Sequence, residues 1–277
     1  MITKVFRYGG YKIPEDLVTL TGGGVDNWKR VSDSHVEMYR QYTPINDDDF
    51  ILEIGCGVGR DAIELSKMLS KNGKYIGIDI IKPSIEWCKK NITPKHSNFK
   101  FIYYDIKSQI HNGGGKINTT DIKLPIKDGA VDRIILHSVF THMFENDIVH
   151  YLQEFRRVLK SDGLVLASFF IIDDHAIKSL QKNKNKIGLH PLSFEHKINK
   201  GCFINDVDHP EGAVGYTPRR IKSMLRRTGF GIHGQHAHRG LWSGLRGANG
   251  QDIFVLEKVN HAQAILQSKQ KLIFTTR

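Results

Sequence analysis

The eleven residues Ile51–Asp61, "ILEIGCGVGRD", decide the fold. A short apolar run contains an acid, Glu53, glycines follow at 55, 57 and 59, and a charged stretch begins with Arg60. This order reads as a buried strand, a tight turn and the start of a helix. A turn that opens a helix aims backbone N–H groups at whatever lies there. Glycine is needed where a side chain would block close approach, or where φ is positive. A dinucleotide fold wants G-x-G-x-x-G, which would place its third glycine at 60, and that residue is Arg60. The third glycine is Gly59 instead, giving G-x-G-x-G behind a carboxylate.

From this stretch onward, short apolar runs alternate with helical patterns. "FILEIG" reads as the first strand, and Gly59 to Lys71 as a helix with Ala62, Leu65, Met68 and Leu69 on one side. "KYIGIDI" and "FKFIYYDI" are the next strands, separated by the helix "KPSIEWCKKNI" with Pro83 in its first turn. After the excursion "HNGGGKINTTDIKLPIKDG" comes the strand "VDRIILHS". The helix "NDIVHYLQEFRRVLKSDG" follows, with Ile148, Leu152, Phe155 and Leu159 on one face and Gly163 as its stop. "LVLASFFII" is the fifth strand. The helix "RRIKSMLRR" and the strands "FGIHGQH" and "DIFVLEK" complete the series. The alternation predicts an α/β fold, a three-layer, doubly wound, mostly parallel seven-stranded sheet. Ligands of such sheets bind beyond the carboxyl ends of the strands, where strand order reverses. Residues 1–48 form an N-terminal helical segment expected to cap the substrate, 49–260 the main domain and 261–277 a tail. Residues 173–215 break the rhythm and read as a lid-like insertion at the carboxyl edge.

Bulk properties bound the function. The 277 residues carry a formal charge of +11, and no apolar run reaches the roughly 18 residues of a membrane span. The start, "MITKVFRYGGYK", lacks the pattern of a secretory signal. Cys56, Cys88 and Cys202 are odd in number and widely spaced, which fits reduced thiols and a cytoplasmic location. The charge admits a nucleic-acid partner, although several lysines sit together in Lys178–Gly201, where a solvated loop explains them as well.

The G-x-G-x-G turn resembles motif I of the class I, Rossmann-like S-adenosylmethionine-dependent methyltransferases. Asp79 closes the second strand 20 residues after Gly59, where that family binds the ribose hydroxyls. "LPIKDGAVDRIIL" resembles the family's lead into its fourth strand. "SVFTH" (138–142) and "YLQEFRRVLKSDG" (151–163) resemble a bacterial subgroup acting in sugar and secondary-metabolite assembly. The likeness runs from about 50 to 172 and returns weakly at "AVGY" and "GQDIFVLEK". It implies S-adenosyl-L-methionine as cofactor and S-adenosyl-L-homocysteine as product. Glu53 is placed to approach the cofactor's amino group, and Gly55, Cys56, Gly57, Gly59 and Arg60 form its turn. Asp79 and Ile80 lie at the ribose, Asp105 or Ile106 at the adenine, and His137 in the cofactor wall. The family commonly passes from the third strand to "LPF" within a few residues. Here Asp105 and Leu124 are 19 apart, which leaves the adenine partner open.

Methyl transfer from a sulfonium is an in-line displacement, so the protein chiefly aligns the acceptor and, for a hydroxyl, removes a proton. The candidate base is His142, paired by resemblance with Tyr39 or Tyr42; alternatively His142 buttresses the next helix. A metal-dependent subgroup uses Glu-x-x-Glu-His where this chain has Ser138, Thr141 and His142, so no metal is expected. The Asn-Pro-Pro-aromatic tetrad of nucleobase-amino methyltransferases is missing, and Cys202 lacks the context of a cytosine-C5 nucleophile. Trp28, Tyr39 and Tyr42, with Phe194, His196, Phe203 and His209 of the insertion, are the expected substrate-facing rings. The expected acceptor is a small-molecule or glycan hydroxyl, and a homodimer is compatible. An RNA methyltransferase is the first rival and requires a continuous basic face joining Arg219, Arg220, Arg226 and Arg227 to the insertion. A non-catalytic cofactor-binding protein is the second.

Overall fold

The computed structural model describes residues 4–183, 186–187, 190–244, 250–270 and 273–275. A hairpin of β1 (Val5–Tyr8) and β2 (Tyr11–Pro14) leads through α1 (Glu15–Leu20) into the long α2 (Gly24–Tyr42). Then come β3 (Phe50–Ile54), α3 (Arg60–Leu65), β4 (Lys74–Asp79), α4 (Lys82–Asn91), β5 (Phe99–Tyr103), β6 (Val131–Leu136), α5 (Glu145–Val158) and β7 (Leu159–Phe169). The insertion holds α6 (Asp174–Asn183), the short pair β8 (Lys186–Ile187) and β9 (His190–Pro191), and the antiparallel β10 (His196–Asn199), β11 (Cys202–Ile204) and β12 (Val214–Tyr216). The chain closes with α7 (Pro218–Thr228), β13 (Phe230–His238), β14 (Asp252–Lys258), α8 (His261–Lys269) and β15 (Ile273–Thr275).

The main sheet has the order β15-β13-β14-β7-β6-β3-β4-β5, and only β14 runs against the rest. Strand order reverses between β3 and β6, so the turn after β3 and the end of β6 face each other across the expected crevice. The mostly parallel, doubly wound sheet is as expected, and the tail adds an eighth strand. After a capping box between Asn260 and Gln263 forms α8, β15 pairs in parallel with β13. Among the described residues no helix is long and apolar enough to cross a membrane.

Side-chain alternation gives the sheet two apolar faces, as buried parallel strands require. Ile51, Tyr75, Phe99, Ile135, Leu166 and Ile253 pack with Trp28, Met38 and Tyr39 of α2, Ala62 and Ile63 of α3, and Ile85 and Cys88 of α4. Thus α2 is one helix of this layer, packed on the sheet face. Leu52, Ile134, Leu136, Val165 and Phe254 pack on the other face with Ile148, Leu152 and Phe155 of α5 and Ile221 and Met224 of α7. The helix α7 carries the expected signals: Thr217 accepts from the Arg220 N–H, Pro218 opens the first turn and Gly229 ends it at φ 69°. The insertion has a small core of its own, in which Phe170, Ala176, Leu180, Phe194 and Trp242 meet.

Two boundaries differ from expectation. Gly163 does not stop α5; the helix ends at Val158 and β7 begins at once. Val131 pairs with Leu159 and Arg133 with Leu164, so the segment holding Gly163 bulges out of β7. A Cβ at Gly163 would lie 3.0 Å from the Asp132 carbonyl oxygen, which is why the bulge carries glycine. The helix after the glycine turn is also shorter than expected: α3 ends at Leu65, although turns carry on to Leu69.

Candidate active site

In the turn after β3, Gly55, Gly57 and Gly59 have φ of 78°, 51° and 79°. Side chains fill the space a Cβ would occupy: Val139 lies 2.5 Å from that of Gly55, Thr21 2.6 Å from that of Gly57 and Ile92 2.6 Å from that of Gly59. Conformation and crowding both exclude other residues here. The amides of the turn itself are engaged within the protein. The Gly55 and Cys56 N–H groups donate to the Ile78 carbonyl, Gly57 N–H to Asp79 Oδ2 at 2.6 Å, Val58 N–H to Thr21 Oγ1 at 3.0 Å and Gly59 N–H to the Cys56 carbonyl. The turn from Gly55 to Gly59 is thus fixed by the protein's own acceptors.

Asp79 closes β4 and is buried, its second oxygen accepting from the Ile81 N–H at 2.8 Å. Burial pushes its pKa up, against the pull of the Ile81 and Gly57 bonds. Each oxygen has used one of two lone pairs, so each can still accept from one of two vicinal hydroxyls. The guanidinium of Arg60 lies 5.4 Å above the Trp28 ring and donates to the Gly22 carbonyl, while its Nε is buried without a partner. An orphaned buried donor calls for an acceptor such as a carboxylate. Glu53 is fully enclosed, with Tyr75 donating to it, and burial raises its pKa well above the usual range. One oxygen of that carboxyl is thus engaged by Tyr75. Cys56 is buried behind the turn, and Ile80 is half-buried against the opposite core.

Beside the turn lies a polar cluster that the sequence did not reveal. Asp61, in the first turn of α3, accepts from His35 Nδ1 at 2.8 Å and from the Tyr39 hydroxyl at 2.8 Å, both on α2. Burial alone would raise the Asp61 pKa, but His35, with help from Arg60, holds it well below the usual carboxylate range. His137, just past β6, lies 3.1 Å from the Tyr39 hydroxyl and stacks on His35 with centroids 3.6 Å apart. Burial and the neighbouring His35 push its pKa well below normal, so the ring is neutral. Tyr39 gives its proton to the ionised Asp61, so the His137 ring must donate from Nε2. His35, Asp61 and His137 offer three metal-ligating atoms within 4.8 Å. The two rings are nearly parallel, 14° apart, and their in-plane lone pairs cannot converge on one ion at the roughly 2.1 Å a metal requires.

His142 lies in the short turn Phe140–His142 beyond β6. Its expected tyrosine partners are elsewhere: the Tyr39 hydroxyl binds Asp61 and His137, and Tyr42 stacks on His238 at 3.7 Å. Both tyrosines are drawn away because α2 packs on the sheet face. Instead His142 Nδ1 lies 2.8 Å from the Glu211 carbonyl oxygen of the insertion, and His111 meets the ring edge-on. A carbonyl only accepts, so Nδ1 carries the hydrogen and Nε2 keeps a lone pair. The Glu211 carboxylate in turn accepts from Ser108 Oγ and the Gln109 N–H, both at 2.9 Å. The two stretches without family signal, 106–123 and the insertion, therefore join over His142. Nearby Ser138 holds φ 59°, rare for a residue with a side chain, with its N–H on Ser168 Oγ and its own Oγ accepting from Gln251.

The remaining candidates fall as follows. Asp105 accepts from the Tyr103 hydroxyl and from Asn112, which hold its pKa below normal. Ile106 is buried and bridged to Ile117, so the long excursion folds back on β5. Trp28 and Phe194, expected to face substrate, are buried core residues, the latter between Phe170 and Trp242. Phe203 is half-buried, and His196 and His209 are exposed. Arg220 and Arg227 both pair with Glu145, which interrupts the basic face required by the nucleic-acid rival.

A family model described as a methyltransferase domain matches residues 45–229. An uncharacterised protein of Methanocaldococcus jannaschii is 28% identical over 196 residues, 68% of this chain and 64% of its own length. Human arsenite methyltransferase is 30% identical over 114 residues, 41% of this chain and 28% of its own length. The chain thus spans less than two thirds of either relative. The O-methyltransferase of a Brevibacillus brevis polyketide-synthase multienzyme, solved with S-adenosyl-L-homocysteine, superposes with a TM-score of 0.58. It is 14% identical, over 88% of this chain and 78% of that one.

Proposed function

This chain belongs to the methyltransferase domain family, and from that premise we propose that it is an S-adenosyl-L-methionine-dependent enzyme methylating a hydroxyl of a small molecule or glycan. When bound, S-adenosyl-L-methionine supplies a methyl group already activated on sulfur. The residues present fit it: Asp79 retains acceptor capacity for both ribose hydroxyls, and the unpartnered Nε of Arg60 suits the methionine carboxylate. Asp105 and Ile106 stand at the end of β5, where the adenine amino group is expected.

The observation that carries the hydroxyl reading is the bond from His142 Nδ1 to the Glu211 carbonyl. It sets the tautomer and leaves Nε2 free to accept the acceptor's proton as the new C–O bond forms. Burial lowers the His142 pKa, so the ring is in its basic form at neutral pH. A base so placed contributes about 10²–10⁴-fold; alignment of acceptor and methyl contributes on the order of 7–11 kcal/mol in the best intramolecular models. The proposed roof over the acceptor is the junction of 106–123 with the insertion through Glu211, which sheds water from the reacting pair. The nucleic-acid acceptor is less well supported, because Glu145 engages two of the four arginines that reading needs.

The test is methyl turnover on a panel of hydroxyl, amine and thiol acceptors, with products weighed by mass spectrometry. Hydroxyl products, lost on His142→Ala while S-adenosyl-L-homocysteine affinity is kept, are the expected result. Products on nitrogen or sulfur alone would overturn the acceptor assignment.

A further inference from the structure

The backbone and the ring of His142 are held by different parts of the molecule. Its N–H donates to the Val139 carbonyl at 3.0 Å, a hold that comes from the chain just past β6. The hydrogen bonds of its ring go to the insertion, chiefly to the Glu211 carbonyl at 2.8 Å. A shift of the insertion therefore frees the ring and leaves the backbone in place.

Glu211 itself is tied down at its other end. It sits half-buried in the short turn Pro210–Gly212, between β11 and β12. One carboxylate oxygen, Oε2, accepts from both Ser108 Oγ and the Gln109 N–H. These donors are presented together because Ser108 and Asn112 exchange main-chain bonds of 3.1 Å in both directions and close the loop between them. Ser108 Oγ also accepts from the His111 N–H at 3.4 Å, and the His111 ring is the one that meets His142 edge-on. Ser108, Glu211, His142 and His111 thus form a closed circuit of contacts. Among the described residues no cation pairs with the Glu211 carboxylate, and the titratable groups around it are His111, His142 and Asp147 of α5. Bonds to an ionised acceptor are about twice as strong as neutral ones, so the two from Ser108 and Gln109 are a substantial part of what joins the excursion to the insertion.

Resting on His142 as the base, we propose that Glu211 is a positioning residue that couples closure of the roof to orientation of that base. Its carboxylate clasps the excursion, while its carbonyl keeps the hydrogen of His142 on Nδ1 and leaves Nε2 open. Opening the clasp to admit an acceptor turns the ring loose, so the base is set only once the acceptor is covered.

The ring can be read directly, with no acceptor present. Two-bond nitrogen–hydrogen NMR spectra of the full chain, carrying nitrogen-15 histidine, distinguish the two imidazole tautomers, and His142→Gln assigns the His142 signals by their loss. The expected result is a single tautomer protonated at Nδ1, titrating below the ordinary 6.5. In Glu211→Ala both tautomers are populated and the midpoint moves up toward 6.5 as water reaches the ring. Ser108→Ala removes only the hydroxyl that Glu211 accepts from, and it shifts both readings in the same direction by less. Glu211→Gln retains an oxygen with two lone pairs for the same two donors, so it keeps the spectrum of the unaltered protein. An unaltered spectrum in Glu211→Ala or in Ser108→Ala overturns the proposal, as does a Gln variant that behaves like the Ala variant. The reading of His142 as base fails by a different result, hydroxyl methylation that survives His142→Ala.

Discussion

At the level of single residues, the turn after β3 and the ring of His142 set the sharpest expectations. Alanine at Gly57 would have to hold φ near 51° and place a Cβ 2.6 Å from Thr21. The conformation alone costs about 1–2 kcal/mol, and displaced Thr21 releases the Val58 N–H. Titration calorimetry of Gly57→Ala should show S-adenosyl-L-homocysteine affinity reduced about tenfold or more, with the chain still folded. For His142, the pKa lies below the ordinary 6.5. The acid limb of kcat/KM against pH, which marks loss of the neutral base, is therefore expected below pH 6.5 and absent in His142→Gln; a limb above that value contradicts the assignment. The glycine turn and the Asp79 that braces it were legible because their spacing is local and their chemistry is written in residue type. Asp61 and His35 were not. They are 26 residues apart and meet only because α2 lies across α3. Glu211, 69 residues beyond His142, entered through a backbone carbonyl, which any residue type supplies and no sequence pattern marks.

Elements were legible where periodicity and end signals agreed, as at α7 with its threonine cap, proline and closing glycine. They were misread where one signal fits two structures. "SDG" after a helical face suits a helix stop and a strand bulge equally, and only the pairing of Arg133 with Leu164 decides. The tail was read as an appendage because three residues of strand carry too little pattern to be seen alone. It has a clear role: β15 covers the edge of β13, and Gln267 of α8 accepts from the Ile232 N–H. Ending the chain at Lys258 uncovers β13, and bare edges invite pairing between molecules. That truncation is expected to retain far-ultraviolet circular dichroism while self-associating in light scattering at micromolar concentration; a well-behaved monomer would show the cover to be dispensable.

Over the whole molecule, buried carboxyls act on stability in opposite directions. Asp252 is fully enclosed, accepting from the Ile171 and Gly240 N–H groups and from Trp242 Nε1 beside Arg239, and thereby ties β14 to β7 and to the core of the insertion. Burial pushes its pKa up to about 6 from an ordinary 3.8. A carboxyl that binds its proton more tightly when folded contributes stability at low pH, and this is lost as pH rises from about 4 to 6. Asp61 has the reverse sign: its folded pKa is depressed, so its contribution is present above the ordinary carboxylate range and fades on acidification. Urea midpoints should therefore decline between pH 4 and 6, and the decline should flatten in Asp252→Asn. An unchanged slope in that variant would place the effect elsewhere. Removing Asp61 leaves the buried His35 Nδ1 and the Tyr39 hydroxyl without their acceptor, and Asp61→Ala is expected to cost about 1–3 kcal/mol for each donor so orphaned, read from the urea midpoint at neutral pH.

The sulfurs of Cys56 and Cys88 both approach the Gly57 carbonyl oxygen, at 3.8 and 3.7 Å, and burial keeps both thiols protonated well above their ordinary range. In the closed turn they are shielded from an alkylating reagent twice over, by lack of access and by lack of thiolate. Modification at Cys56 requires the segment between β3 and α3 to open, and at Cys88 requires that segment or α4 to move away. The unaltered protein thus contains an intrinsic kinetic probe: the rate of iodoacetamide incorporation at these two positions, followed by peptide mass mapping, measures how often the glycine turn and the helix packed on it unlatch.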